Sequence, residues 1–166
     1  MIKYLIIAIF SSLLFYSCNK EDPVLPDPSM SVSYEMVCKD FDPVKTDKPG
    51  KDQSCVYWEY DGDSTLTMTH YNAGFNCCPE AILTSMKISG DTVYVTERDS
   101  MQLCRCNCLY DIDFVVHNLK PQKYVMKFIE RYVTEPNPPL VFEIDLEEDL
   151  SGEVCQDRDY YPWGER

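Results

Sequence analysis

The chain has 166 residues, with 15 basic and 28 acidic side chains and a formal charge of −13. A charge that negative opposes binding to nucleic acid and to anionic lipid headgroups. It suits a soluble, outward-facing surface and permits divalent cations without requiring them.

The first segment, "MIKYLIIAIFSSLLFYSC", carries one early positive charge, Lys3, then an apolar run from Tyr4 to Tyr16 that stops at Ser17-Cys18. The run is too short for a comfortable membrane span, which needs about 20 apolar residues. It fits the apolar region of a secretory signal, residues 1–17. A small residue directly before a cysteine resembles the lipobox of bacterial lipoproteins, although Phe15 and Tyr16 are bulkier than is usual there. The resemblance implies that Cys18 is lipidated, with palmitate among the acyl chains, and becomes the first mature residue. The alternative is an ordinary signal peptide with an incidental cysteine. Removing residues 1–17 takes away only Lys3, leaving 14 basic against 28 acidic side chains, or −14. "CNKEDP" places Lys20, Glu21 and Asp22 after the cysteine, which resembles the export signal of Bacteroidetes surface lipoproteins. That implies an outer-membrane protein held by its lipid and exposed at the cell surface. A solvated acidic tether is the plainer reading. Pro23, Pro26 and Pro28 favour an extended spacer, so 18–30 reads as a tether. Residues 31–166 remain for one domain with a modest core.

That body reads as strands. "SVSYEMVC" (31–38) alternates, "SCVYWEY" (54–60) is aromatic and β-branched, and "STLTMTHY" (64–71) alternates again. Asp61-Gly62-Asp63 between the last two is a hairpin signal. "AILTSMKIS" (81–89) and "TVYVTE" (92–97) flank Gly90-Asp91 and form a second hairpin. In "CRCNCLYDIDFVVHN" (104–118), Cys104, Cys106, Cys108, Tyr110, Ile112, Phe114 and Val116 share one face, the strongest strand pattern in the chain. "KYVMKFIERYV" (123–133) and "LVFEIDL" (140–146) follow. A helix is the alternative for 123–133, where Tyr124, Met126, Phe128 and Glu130 alternate imperfectly. About eight strands joined by short turns predict an all-β, disulfide-rich fold: an antiparallel, Greek-key-like β-sandwich. "NLKPQKY", with Leu119, Pro121 and Tyr124, resembles the tyrosine corner of Greek-key sandwiches, in which a tyrosine hydroxyl ties to nearby backbone. Antibody-type domains carry a cysteine two residues later. Met126 stands there, so their central disulfide is not expected. Tyr160, Tyr161 and Trp163 in the tail are expected to pack on the body, or to be contact residues for a partner, with Cys155 fastening the tail.

The nine cysteines are Cys18, Cys38, Cys55, Cys77, Cys78, Cys104, Cys106, Cys108 and Cys155. An odd count in an exported chain asks for an explanation. Lipidation of Cys18 leaves an even set, which in a small exported body favours a disulfide framework. Alternate residues on a strand lie roughly 6.6 Å apart, whereas bonded cysteines need Cβ atoms about 3.5–4.5 Å apart. Cys104, Cys106 and Cys108 should therefore not pair with one another, and a Cys77–Cys78 bridge between neighbours would be strained. The preferred arrangement joins Cys38 to Cys155 and sends Cys55, Cys77 and Cys78 to the triplet in some order.

The alternative is a thiolate site for zinc or Cu(I), since alternate thiols share a strand face. No paired CxxC clamp is present, and the preferred reading holds no metal and no cofactor. His70 and His117 are expected as strand or surface residues. A redox enzyme would need a CxxC at a helix start, which is missing. No Ser-His-Asp order, nucleophile elbow, phosphate loop or zinc-protease motif occurs, so no catalytic residue is assigned. Glu143 to Glu153 and "DGD" are acidic enough for weak calcium binding, but solvated turns and strand faces are the preferred explanation. The pattern "NAGFNCCPE … CRCNCLYD … LKPQKY … YPW" is similar to small secreted Bacteroidetes lipoproteins, a resemblance that implies no mechanism. The expected role is binding or structural, at the membrane through Cys18, with a protein or glycan partner and no nucleic acid. An enzyme without a recognisable motif is a further alternative.

Overall fold

Nine strands account for most of the described residues in a computed structural model that describes residues 25–39, 49–101 and 104–159. They are β1 (Ser29–Tyr34), β2 (Gln53–Tyr60), β3 (Leu66–Asn76), β4 (Ile82–Ser89), β5 (Thr92–Asp99), β6 (Asn107–His117), β7 (Lys123–Glu130), β8 (Val141–Asp145) and β9 (Ser151–Asp157). Two sheets form, in the orders β1-β6-β3-β2-β9 and β4-β5-β7-β8. Among the described residues there is no helix, and so none long and apolar enough to cross a membrane. Residues 123–133 are therefore strand through Glu130, as the alternation of Tyr124, Met126 and Phe128 implies.

The predicted hairpins form for the predicted reasons. The Asp61 carboxylate accepts the backbone N–H groups of Asp63, Ser64 and Thr65, each at 2.9 Å, and Gly62 takes φ +82°. Those hydrogen bonds, led by that from Thr65, hold the Asp61 pKa down at about 2. Ser89 pairs with Thr92 across a two-residue turn, with Gly90 at φ +63° in the first central position, where a side chain would be strained. The Tyr124 hydroxyl donates to the Lys120 carbonyl at 3.1 Å, the tie expected of a tyrosine corner, above a fully buried Leu119.

Two expectations need correction, and one strand is added to the expected eight. The sandwich is not wholly antiparallel: β5 and β7 run parallel, because β6 leaves for the other sheet between them. The cysteine triplet does not lie on one regular strand, since β6 begins only at Asn107 and the chain bends at Cys104 and Arg105. The tail contributes a ninth strand, β9, paired antiparallel with β2. Gly152 is the reason β9 can lie there. A Cβ added to it would come within 2.9 Å of Trp58 Cε2 and closer to the outer ring atoms. Gly152→Ala is therefore expected to cost about 1–3 kcal/mol by overpacking, measurable by urea unfolding. An unchanged midpoint would contradict the stacking of Trp58 on this edge strand.

The core fills the space between the sheets with the inward sets Val56, Trp58, Leu66, Met68, Ile112, Phe114 and Val116 against Val93, Val95, Met126, Phe128, Phe142 and Ile144. Trp58, Phe142 and Phe128 stack in sequence, with ring centroids 5.5 and 6.2 Å apart. A bulge interrupts β3 between His70 and Ala73, where Asn72 adopts φ +63°. An extra residue at such a point shifts the strand register. It does so here just before the paired cysteines.

Candidate functional site

All eight cysteines of the described residues are paired: Cys38–Cys108, Cys55–Cys155, Cys77–Cys106 and Cys78–Cys104. As expected, no member of the triplet bonds another, and Cys77 and Cys78 both join it. The Cys38–Cys155 pairing is overturned. Antiparallel register explains why. A step forward on one strand is a step back on its neighbour, so the pairing Tyr34↔Ile112 carries on to Cys38 opposite Cys108. Cys55 lies directly opposite Cys155 once β9 pairs with β2, at Cα–Cα 4.0 Å. Asn76↔Asn107 leads to Cys77 opposite Cys106, where Cys77 N–H donates to the Cys106 carbonyl at 3.0 Å. Cys78–Cys104 falls one residue off that register, at the bend.

Asn76 organises this end of the molecule. It is 2% exposed, and its Nδ2 donates to the Cys104 and Cys106 carbonyls at 2.7 and 2.8 Å. Its Oδ1 accepts Cys78 N–H at 3.0 Å. Its own N–H donates to Asp99 Oδ2 at 3.0 Å, and its carbonyl accepts the Tyr110 hydroxyl at 3.0 Å. Asp99, also buried, further receives the Tyr132 hydroxyl at 2.8 Å and the Arg131 guanidinium.

Farther along the same interlayer space lies an ion network that composition does not disclose. Glu97 of β5 and Glu130 of β7 are parallel-strand partners facing inward. Two buried carboxylates side by side require cations. His70 of β3 supplies one, with Nδ1 at 2.9 Å from Glu97 Oε1 and Nε2 at 3.7 Å from Glu130 Oε1. Arg158, just beyond β9, supplies the other, with Nη2 at 2.7 Å from Glu130 Oε2. The side chains of His70, Glu97 and Arg158 are 0% exposed and that of Glu130 is 4% exposed, and the charges balance when His70 is protonated. Burial opposes that protonation, but the Glu97 carboxylate, through charge and hydrogen bond, and then Glu130 outweigh it, so the His70 pKa is raised. Burial likewise raises the Glu130 pKa against the pull of His70 and Arg158.

Ser54 Oγ lies 2.8 Å from His70 Nε2, so Ser54, His70 and Glu97 hydrogen-bond in the sequence of a serine-hydrolase triad. The polarity is opposite to that of a triad. A protonated His70 donates to Ser54 Oγ, and the Ser54 hydroxyl donates onward to Glu130 Oε1 at 3.4 Å. Ser54 is 0% exposed, so its Oγ is out of reach of a substrate carbonyl. The arrangement is a buried ion and hydrogen-bond network that ties β2, β3, β5, β7 and the segment after β9 together. His70 is thus a core residue, whereas His117 is exposed on β6.

The acidic runs resolve into turns and strand faces, with Glu143 and Asp145 on β8 and Glu153 on β9. Besides the Asp61 cap, Asp145 pairs with Lys123 at 3.0 Å and accepts Glu147 N–H, and the Lys123 hydrogen bond leads in lowering its pKa. Lys39 bridges Asn72 Oδ1 at 2.6 Å and Asp111 Oδ1 at 2.8 Å beside the β3 bulge. That bridge stands at the end of an open groove of about 690 Å³, lined also by Ser33, Glu35, Val37 and Asp113. Cys18, the expected lipidation site, and the tail residues Tyr160, Tyr161 and Trp163 lie outside the described residues.

These features define an all-β, disulfide-rich sandwich with a buried salt-bridged core. Compared with protein-family models, with curated proteins and with solved structures, the chain matches none.

Proposed function

We propose that the chain is an exported, lipid-anchored lipoprotein of the outer membrane that presents a disulfide-stapled binding or structural module at the cell surface. Cysteine accounting carries this reading. Every cysteine of the described body is paired, and the one left over is Cys18, at the end of an apolar leader. Four disulfides in so small a body persist in an oxidising compartment outside the cytoplasm. The Pro-rich tether then holds the sandwich off the bilayer. The groove beside Lys39 and Asp111 is the first place to seek a protein or glycan partner.

Metabolic labelling with an alkyne-bearing palmitate, followed by detergent phase partition, tests the anchor. The native chain is expected to carry label on the peptide beginning at Cys18 and to enter the detergent phase. Cys18→Ser is expected to lose both properties. Unlabelled native chain in the aqueous phase would contradict the proposal.

A further inference from the structure

Four of the eight sulfurs form one cluster. The Sγ atoms of Cys77, Cys78, Cys104 and Cys106 all lie within 4.8 Å of one another, and those of Cys77 and Cys78, which share no bond, are 4.0 Å apart. A tetrahedral tetrathiolate zinc centre has Zn–S bonds of about 2.3 Å, which sets its sulfurs about 3.8 Å apart. We infer that this end of the sandwich is a redox-gated soft-metal site: closed as two disulfides, and on reduction a four-thiolate site for Zn²⁺.

The scaffold supports this independently of the sulfur bonds. Asn76 holds the backbone of Cys78, Cys104 and Cys106 through its side chain, and Cys77 N–H holds Cys106 across the end of the β3–β6 ladder. Asn76 is in turn fixed by Asp99 and Tyr110. Reducing the two disulfides leaves those hydrogen bonds in place, so the four thiols stay facing one another. The cluster is partly exposed, with Cys106 outermost, so both reductant and metal can reach it. The chemistry balances. Each disulfide takes two electrons and two protons from a dithiol, which becomes a disulfide itself. Zinc then displaces the four thiol protons on binding four thiolates. The other two disulfides are different: Cys38 Sγ touches the Cys77 carbonyl at 3.9 Å, but neither Cys38 nor Cys108 belongs to the four-sulfur group, and among the described residues Cys55–Cys155 has only Glu153 as a further ligand.

The test reduces the full chain anaerobically with a phosphine, removes the reductant and titrates with Co²⁺, then Zn²⁺. One Co²⁺ per chain with the absorption of a tetrahedral thiolate centre, displaced by Zn²⁺, is expected. With Zn²⁺ bound, alkylation of Cys77, Cys78, Cys104 and Cys106 should slow by at least about tenfold, read peptide by peptide, while Cys38, Cys55, Cys108 and Cys155 react as before. Cys78→Ser with Cys104→Ser should abolish the Co²⁺ spectrum, and Cys38→Ser with Cys108→Ser should keep it. Absence of the spectrum in the reduced native chain overturns the inference, as does protection spread evenly over all eight cysteines. The membrane anchor is not involved, so this result and that of palmitate labelling are read separately.

Discussion

His70→Gln is expected to cost about 3–5 kcal/mol of folding stability, the scale found when one partner of a buried ion network is removed. Glutamine can still donate a hydrogen bond to one carboxylate. It cannot neutralise the Glu97–Glu130 pair, which is then left with Arg158 alone. The pH profile distinguishes this account from a simple loss of packing against Phe128. Because the His70 pKa is raised in the fold, its contribution is fully present below its ordinary 6.5 and is lost as pH rises through the higher folded value. Glu130, also raised, acts in the same direction: its stabilisation is present below 4.5 and is lost as pH rises through its folded value. The native chain should therefore lose melting temperature as pH rises above about 4.5, with the His70 part of the loss beginning near pH 6.5. His70→Gln should show its largest loss of stability below about pH 6.5, lack the His70 part of the pH step, and approach the native chain as pH rises. Adding Glu97→Gln to His70→Gln should recover part of the loss, since it restores the charge balance. Thermal unfolding across this pH range decides it, and a variant with the native slope would show that His70 carries no charge in the core.

The second large effect concerns Cys55–Cys155. The bond spans a sequence separation of 100. The shortest path through another bond, Cys38–Cys108, still runs through about 64 residues, 17 back to Cys38 and 47 on from Cys108. Chain-entropy arithmetic for a loop of that size gives about 4 kcal/mol. Replacing both cysteines with serine is expected to cost that much in urea unfolding and to speed amide exchange in β9 ahead of the rest of the sheet. A uniform rise in exchange would contradict local release. The effect should combine non-additively with His70→Gln, because β9 leads directly into Arg158. Cys155 is exposed and Cys55 is not, so an external thiol should attack at Cys155.

The hairpins, the corner and the long strand β6 were legible because local chemistry and period agree there. Asp61-Gly62 and Gly90-Asp91 name their turns, and Tyr110 to Val116 keep one apolar face. β9 was not legible because it is an edge strand whose inward set is Gly152, Val154 and Gln156, with a single apolar side chain. Missing it hid the Cys55–Cys155 pair and left Cys155 free to be assigned to Cys38. The bulge at Asn72 and the bend at Cys104 broke the strict alternation on which the triplet was placed. The ion network was hidden for a different reason. Glu97 and Glu130 fall on inward positions by period 2, but a charge there reads as a break in the pattern until His70 and Arg158 are brought to it from other strands. Only tertiary structure shows that the alternation of Tyr124, Met126, Phe128 and Glu130 was unbroken.

Four specific cysteine bonds close the sandwich, and the lipid anchor we propose takes the remaining Cys18. Peptide mapping of the native chain, alkylated without reductant, tests it most directly. The expected result is four cross-linked pairs, Cys38–Cys108, Cys55–Cys155, Cys77–Cys106 and Cys78–Cys104, with Cys18 on a lipid-modified peptide. Alkylated thiols among those eight, or Cys18 joined to any of them, would contradict it.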